Sequence, residues 1–452
     1  MILLLSLNLP FAQLSSVANA LIEGLITDLH LSTLRLVAGL RDSYHLSIQA
    51  GTQLLIALSI NSVAYVLFEI PCNMVMKLTR PRFWLPTLTF TWGVICVLTG
   101  ITQNFPGFLA ARFFIGVADS GFIPGCLFYM SMWYRRDELI YRNSLLISSA
   151  TLSGAFGGIF VSGCLLPLTV GVTLYPGLRH CQNERCRWFG WMEMDLYHRK
   201  VCNPAMETTI NFFPFQEGLL TVVVSIVLYF FICDYPETAK FLTPEEKERV
   251  LARLKEDGDA LRDEKFTWDG MAQAFKDPKV WLYCICLHTI TLPSYTLGTF
   301  LPLIITELGY TAAQAQLLST LPALAAFVLT MTTAVFAERT GLRAPFIIAC
   351  STLATAGYII LILGTRPEVS FGGAIMAFSG ALAAGTTNLG WTTSNISGQT
   401  KRATASAMQL SVAYIGSIIG VQLYRLEWAP KFLVSKYLVR LFSYNSFTQT
   451  AR

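Results

Sequence analysis

Ten stretches of this chain, residues 51–76, 83–102, 107–133, 143–166, 212–233, 279–306, 312–336, 344–364, 370–395 and 403–424, run almost without charge. Each has the length a membrane demands, because a helix rising about 1.5 Å per residue needs roughly 20 apolar residues to cross the hydrocarbon. Inside a bilayer every backbone N–H and C=O must be satisfied within the segment, which leaves helices for runs of this size. Composition agrees: 53% of the 452 residues are hydrophobic and 13% charged, and mean hydropathy is +0.51. We therefore read an all-α integral membrane protein whose first partner is the lipid bilayer. The first twenty residues make a shorter, eleventh apolar stretch. It resembles a secretory signal ending in Ala18-Asn19-Ala20 but has no basic start, so we expect it to be retained.

A net charge of +5 does not signal a nucleic-acid partner, because Lys and Arg sit in short turns between apolar stretches and form no continuous patch. They mark topology instead. Lys77, Arg80 and Arg82, then Arg135, Arg136 and Arg142, then Arg339 and Arg343, then Lys401 and Arg402 occupy alternate turns, which the positive-inside rule assigns to the cytosol. Residues 102–106 and 307–314, on the other side, contain no Lys or Arg. The N-terminus is expected to be cytoplasmic.

Residues 234–278 are of another kind, mixing both charge signs. Thr243 before Pro244, acids in the first turn and a stripe of Val250, Leu251 and Leu254 predict a capped amphipathic helix on the membrane surface. This linker separates an N-terminal helical bundle, 1–233, from a C-terminal one, 279–424, with an atypical tail at 425–452. The halves echo each other: "KLTRPRFWLP" and "AERTGLRAPF" are equivalent basic turns, the repeat pattern of transporters.

Eleven cysteines lie mostly inside apolar runs and suggest no disulfide framework. In 174–211, His180, Cys181, Cys186, His198 and Cys202 match no zinc spacing, so no metal site and no cofactor is expected. There is no GxxxxGK[ST] loop, HExxH or GxSxG elbow, and none of the spacing a membrane acyltransferase would need; we expect no enzyme.

"LFEIPCNMVMKLTRPRFWLP" (67–86), "ARFFIGVADSGFIPGCLFYMSMWYRRDE" (111–138), "EGLLT" (217–221), "DYPETAKFLTPEEKERV" (234–250) and "GQTKRATASAMQLS" (398–411) resemble the fungal anion:cation symporter branch of the major facilitator superfamily, which includes allantoate, nicotinate and pantothenate permeases. The resemblance implies a major facilitator fold of two six-helix bundles and proton-coupled uptake of a small organic anion by alternating access, in a plasma-membrane monomer. About eleven spanning helices are expected here, with the first shortened and the twelfth missing. Three pieces depart from the family pattern. Gln13-Leu14-Ser15-Ser16 stands where the family has an Asp-Arg pair, residues 32–50 lengthen the first outer loop, and 174–211, rich in Arg, displaces the usual link into the next span. We expect these inserts and the tail to come from misplaced gene-model junctions, with a non-transporting receptor-like product as the alternative to a working transporter.

Charge inside the spans is confined to Glu69, Arg112, Asp119 and Glu217. Arg112 and Asp119, seven residues apart, share one helix face with Gly116 between them, so that face must look into the protein rather than into lipid. Burial disfavours the charged form of a carboxylate, which suits Asp119 to load and release a proton, while the permanently charged fork of Arg112 suits an anion. In the family this acid is usually Glu. Glu69, Glu338, Arg339 and Arg343 are gate candidates, and His288, Tyr295, Trp391 and Asn395 are substrate-cavity candidates on Gly- and Pro-bearing spans.

Overall fold

The computed structural model describes residues 40–102, 104–135, 138–153, 218–239, 241–255, 267–310 and 312–422. The first apolar stretch, Gln13 to Ser16, residues 32–39, the insert 174–211, Glu217 and the tail 425–452 lie outside these residues.

The described N-terminal half holds α1 (Leu40–Leu78), α2 (Pro81–Thr99), α3 (Phe105–Ser120) and α4 (Phe122–Trp133). It continues with α5 (residues 139–153) and α6 (Gly218–Phe231). Two linker helices follow, α7 (Pro244–Lys255) and α8 (Trp268–Lys276), and then α9 (Pro278–Glu307), α10 (Ala312–Thr340), α11 (Ala344–Leu363), α12 (Pro367–Asn395) and α13 (Gln399–Gln422). Seven spans among the described residues are long and apolar enough to cross a membrane, with α3 and α4 counted as one. Leu67, Phe230, Leu282, Val328 and Leu363 stand exposed, as lipid-facing side chains do.

Two boundaries correct the sequence reading. Residues 40–50 are not loop but the beginning of α1, because Arg41 to Ala50 contain no Gly or Pro to stop the helix growing back from the apolar run. The stretch 107–133 is interrupted at Gly121, where α3 ends and α4 begins. Pro124 removes the N–H that would bond the Ser120 carbonyl, which loosens the ladder at that point.

Within each half the helices meet at small residues. A Cβ on Gly116 would run into the carbonyl oxygen of Asn61, so α3 lies directly on the backbone of α1. Gly380 likewise presses on α11, where an added Cβ would stand 2.6 Å from the Cys350 carbonyl oxygen.

The halves join along α1 and α13. Ser59, Ser62, Tyr65, Glu69 and Asn73 recur at three- and four-residue steps, which puts them on one face of α1. In antiparallel order they meet Gln422 (2.8 Å), Ser417 (2.9 Å), Tyr414 (rings stacked at 3.8 Å), Ser411 (2.6 Å) and the Ala403 carbonyl (2.6 Å). At the linker end Asn143 Nδ2 also donates to Thr393 Oγ1 at 3.3 Å, beside the contact of Gly390 with Ile140.

The linker helix forms as the sequence predicts. Thr243 Oγ1 accepts the Glu246 N–H at 3.3 Å while Glu246 accepts the Thr243 N–H at 2.9 Å, a reciprocal cap that holds the exposed Glu246 carboxyl below the usual carboxylate range. Each linker helix keeps to one half. Arg253 of α7 pairs with Glu138, and Phe241 stacks on Trp133 of α4. In α8, Ala274 packs with Val280 and Met408.

Asp277 caps α9 through the Lys279 N–H at 2.9 Å and pairs with Lys401 at 2.6 Å, and the Lys401 hydrogen bond holds its carboxyl below the usual range. Asp277→Ala is expected to cost about 1 kcal/mol of stability and Asp277→Asn, which still caps, less. Because the folded value is lowered, the pair's contribution is complete above about pH 4 and lost as the pH falls further. Thermal unfolding of the purified chain across pH measures both effects. Gly116→Val should abolish folded, monodisperse protein in size-exclusion chromatography, since the backbone it strikes cannot move aside.

Candidate functional site

Arg112 and Asp119 both turn into the protein, 3% and 4% exposed. The Arg112 guanidinium lies over the Phe108 ring, 5.1 Å from its centroid, and its Nε finds no hydrogen-bond partner among the described residues. Asp119 Oδ1 has none either. On the facing helix Glu69 is fully buried, with Oε2 accepting from Ser411 Oγ and Oε1 without a partner. Asp119 acts electrostatically on Glu69, Tyr65, Tyr295 and Tyr414, and Arg112 on Tyr295.

Those three tyrosines form part of the wall of a cavity of about 300 Å³ between the halves. Tyr65, Ile123, Ile147 and Thr151 line it from the N-terminal half. From α9 come Thr291, Ser294, Tyr295 and Thr299; from α12, Phe378, Gly385, Thr386 and Leu389; from α13, Tyr414. Among the described lining residues none is charged. Arg112 and Asp119 are not in the wall itself, but both act electrostatically on Tyr295, which is.

Of the four cavity candidates, Tyr295 lines the space and three do not. His288 Nδ1 contacts the Val412 carbonyl at 2.7 Å and ties α9 to α13. Trp391 packs edge-on against Tyr283, ring centroids 5.4 Å apart. Asn395, the last residue of α12, donates to Tyr283 Oη at 2.8 Å and accepts from Arg343 at 3.4 Å. Among the gate candidates, Glu338 and exposed Arg339 close α10, and Arg343 opens α11 after a turn at Gly341 (φ 68°), a conformation suited to Gly. Arg343 and Asn395 thus come together at the linker end. Glu69 lies deep in the α1–α13 seam.

Sequence reasoning passed over Tyr65, Ser294, Thr299, Phe378, Thr386 and Tyr414. Ser294 and Thr386 bond the carbonyls of Ile290 and Leu382 on their own helices at 3.0 and 3.1 Å, as buried hydroxyls do throughout such spans. Only the placement of Tyr65 and Tyr414 in mid-span was a usable signal.

The Major Facilitator Superfamily model matches residues 7–171 and 215–421. The chain belongs to this superfamily. It is a membrane transporter by family and not an enzyme. It is 28% identical to an uncharacterized transporter of Schizosaccharomyces pombe over 88% of this chain and 72% of that protein. It is 26% identical to the high-affinity nicotinic acid transporter of Saccharomyces cerevisiae over 88% of this chain and 67% of that one. Among solved structures it shares the fold of the proton:xylose symporter XylE, with a TM-score of 0.62 at 13% identity over 99% of this chain and 94% of the other.

The cavity wall predicts a labelling pattern for this transporter. In a background cleared of native cysteines, Thr291→Cys and Ser294→Cys should react with a small maleimide much faster than Thr392→Cys, which is fully buried outside the cavity. Mass spectrometry of the labelled protein reads the rates.

Proposed function

We propose that the chain couples protons to the movement of a small organic anion across the plasma membrane, working as a monomer with its N-terminus in the cytosol. The observation that carries this reading is the buried Arg112 and Asp119 on one face of α3, each with a polar atom that has no hydrogen-bond partner among the described residues, both acting electrostatically on Tyr295 in the wall of a cavity between two halves. Ionisable groups are retained at such depth where they serve a substrate or ion path. Arg112 supplies the positive charge that an otherwise uncharged cavity needs to hold an anion, with Tyr295 between them, and Asp119 exchanges the coupling proton. The nicotinic acid transporter among the relatives supports a carboxylate substrate.

The two moving bodies are the bundles 1–233 and 279–424, joined by the 234–278 linker, and they rock about the cavity so that it opens to each side in turn. Glu338, Arg339 and Arg343 form the gate at the linker end, where Arg343 already bonds Asn395, and Glu69 belongs to the gate along α1 and α13.

In reconstituted vesicles an acid-outside gradient should drive accumulation of one labelled anion from a set of nicotinate, pantothenate and allantoate. Asp119→Asn should abolish that accumulation; unchanged gradient-driven uptake in this variant removes Asp119 from the mechanism. Arg112→Lys keeps the charge but loses the planar fork, and should raise the half-saturating concentration roughly tenfold, the size of one lost charge-assisted hydrogen bond.

A further inference from the structure

Glu69 is as deeply buried as Asp119, and its hydrogen bond to Ser411 satisfies only one of its oxygens. The two carboxyls come from helices that run parallel. Gly116 faces Asn61 and Ala64, Gly121 faces Cys72, and Gly125 faces Met76, so Asp119 stands level with Glu69. Asp119 acts electrostatically on Glu69. Glu69 acts electrostatically on Tyr65 and Cys72 of α1, Cys284 of α9 and Tyr414 of α13, none of them a cation. Among the described residues no ion pair reaches either carboxyl. Arg112 lies nearly two turns from Asp119 along α3 and acts on Tyr295 instead.

Two like charges shut off from water repel strongly, and among the described residues each carboxyl has one oxygen without a hydrogen-bond partner. A single proton held by the pair removes one of the two charges and leaves one carboxyl neutral. We propose that Glu69 and Asp119 together form one proton-binding site, so that the unit which loads and releases the coupling proton is the pair and not Asp119 alone. The site deepens the proposed function and rests on its reading of Asp119. Through the Ser411 hydrogen bond the same site touches α13 of the opposite half.

The test needs no transported molecule, so a failure of carboxyl coupling and a failure of anion uptake are separate results. The purified full chain in lipid nanodiscs is titrated by infrared spectroscopy, following the carbonyl stretch of protonated carboxyls in wild type, Glu69→Gln and Asp119→Asn. Gln preserves the acceptor for Ser411. Coupled groups titrate as a unit, so each substitution should move the pH at which the other carboxyl's band vanishes by about one unit or more. Should Glu69→Gln not fold, Asp119→Asn read at Glu69 gives the same decision. Bands that titrate independently overturn the proposal. So does a band that disappears at fixed pH when choline chloride is replaced by sodium chloride, because the site would then belong to a metal cation.

Discussion

Hydrocarbon tolerates charge only where protein surrounds it, and the arrangement of this chain follows from that constraint. Every other Asp, Glu, Lys and Arg described lies near a helix end or in the linker, where Arg80 reaches Asp234, Arg142 reaches Glu138, and Lys401 reaches Asp277. The three exceptions, Glu69, Arg112 and Asp119, are exposed by 4% or less. Helices that shelter them must present polar faces to one another, and a seam between two halves is where such faces can meet and still come apart.

The chemistry of the seam suits an interface that parts. Its links are neutral or singly charged hydrogen bonds and one ring stack, and hydrogen bonds between membrane helices contribute only about 0.6 kcal/mol each on average. Ser417 also lies 2.7 Å from the Tyr414 carbonyl on its own helix, so its hydroxyl has a partner waiting when the Ser62 contact is lost. Contacts inside each half are different in kind. Gly116 against Asn61 and Gly380 against Cys350 are backbone-to-backbone approaches with no alternative geometry, which makes each half rigid beside a seam that can re-pair.

Span positions were legible because the bilayer fixes a length and the sequence obeys it: 279–306 became Pro278–Glu307, and 344–364 became Ala344–Leu363. The inward face of α3 was legible too, since Arg112, Gly116 and Asp119 recur at helical spacing. Thr243 announced its cap by standing before Pro244 and the acids of the first turn. The cavity was not legible. Ser62, Ser294 and Ser417 look alike in sequence, yet one pair bridges the halves while Ser294 faces the cavity, and the difference lies in neighbours hundreds of residues away. Trp391 and Asn395 do not line the cavity: near the end of α12 they meet Tyr283 of α9, and Asn395 also meets Arg343. Glu69 was a gate candidate in the sequence, and only the packing of α13 shows its depth.

The linker sharpens the picture of two bodies. Sequence alone treats 234–278 as a single connector, but α7 is fastened to the N-terminal half by Arg253 with Glu138 and by Phe241 on Trp133, while α8 is fastened to the C-terminal half through Ala274 and through Gly270 against Thr400. A connector whose two helices travel with different bodies has its compliance between them. Its exposed ion pair is worth about 0–1 kcal/mol and is screened by salt, whereas the aromatic stack and the buried Ala274 are not. Attachment of each helix therefore depends on the apolar contacts, and the charges serve to place α7 over Glu138 in the correct register as those contacts form.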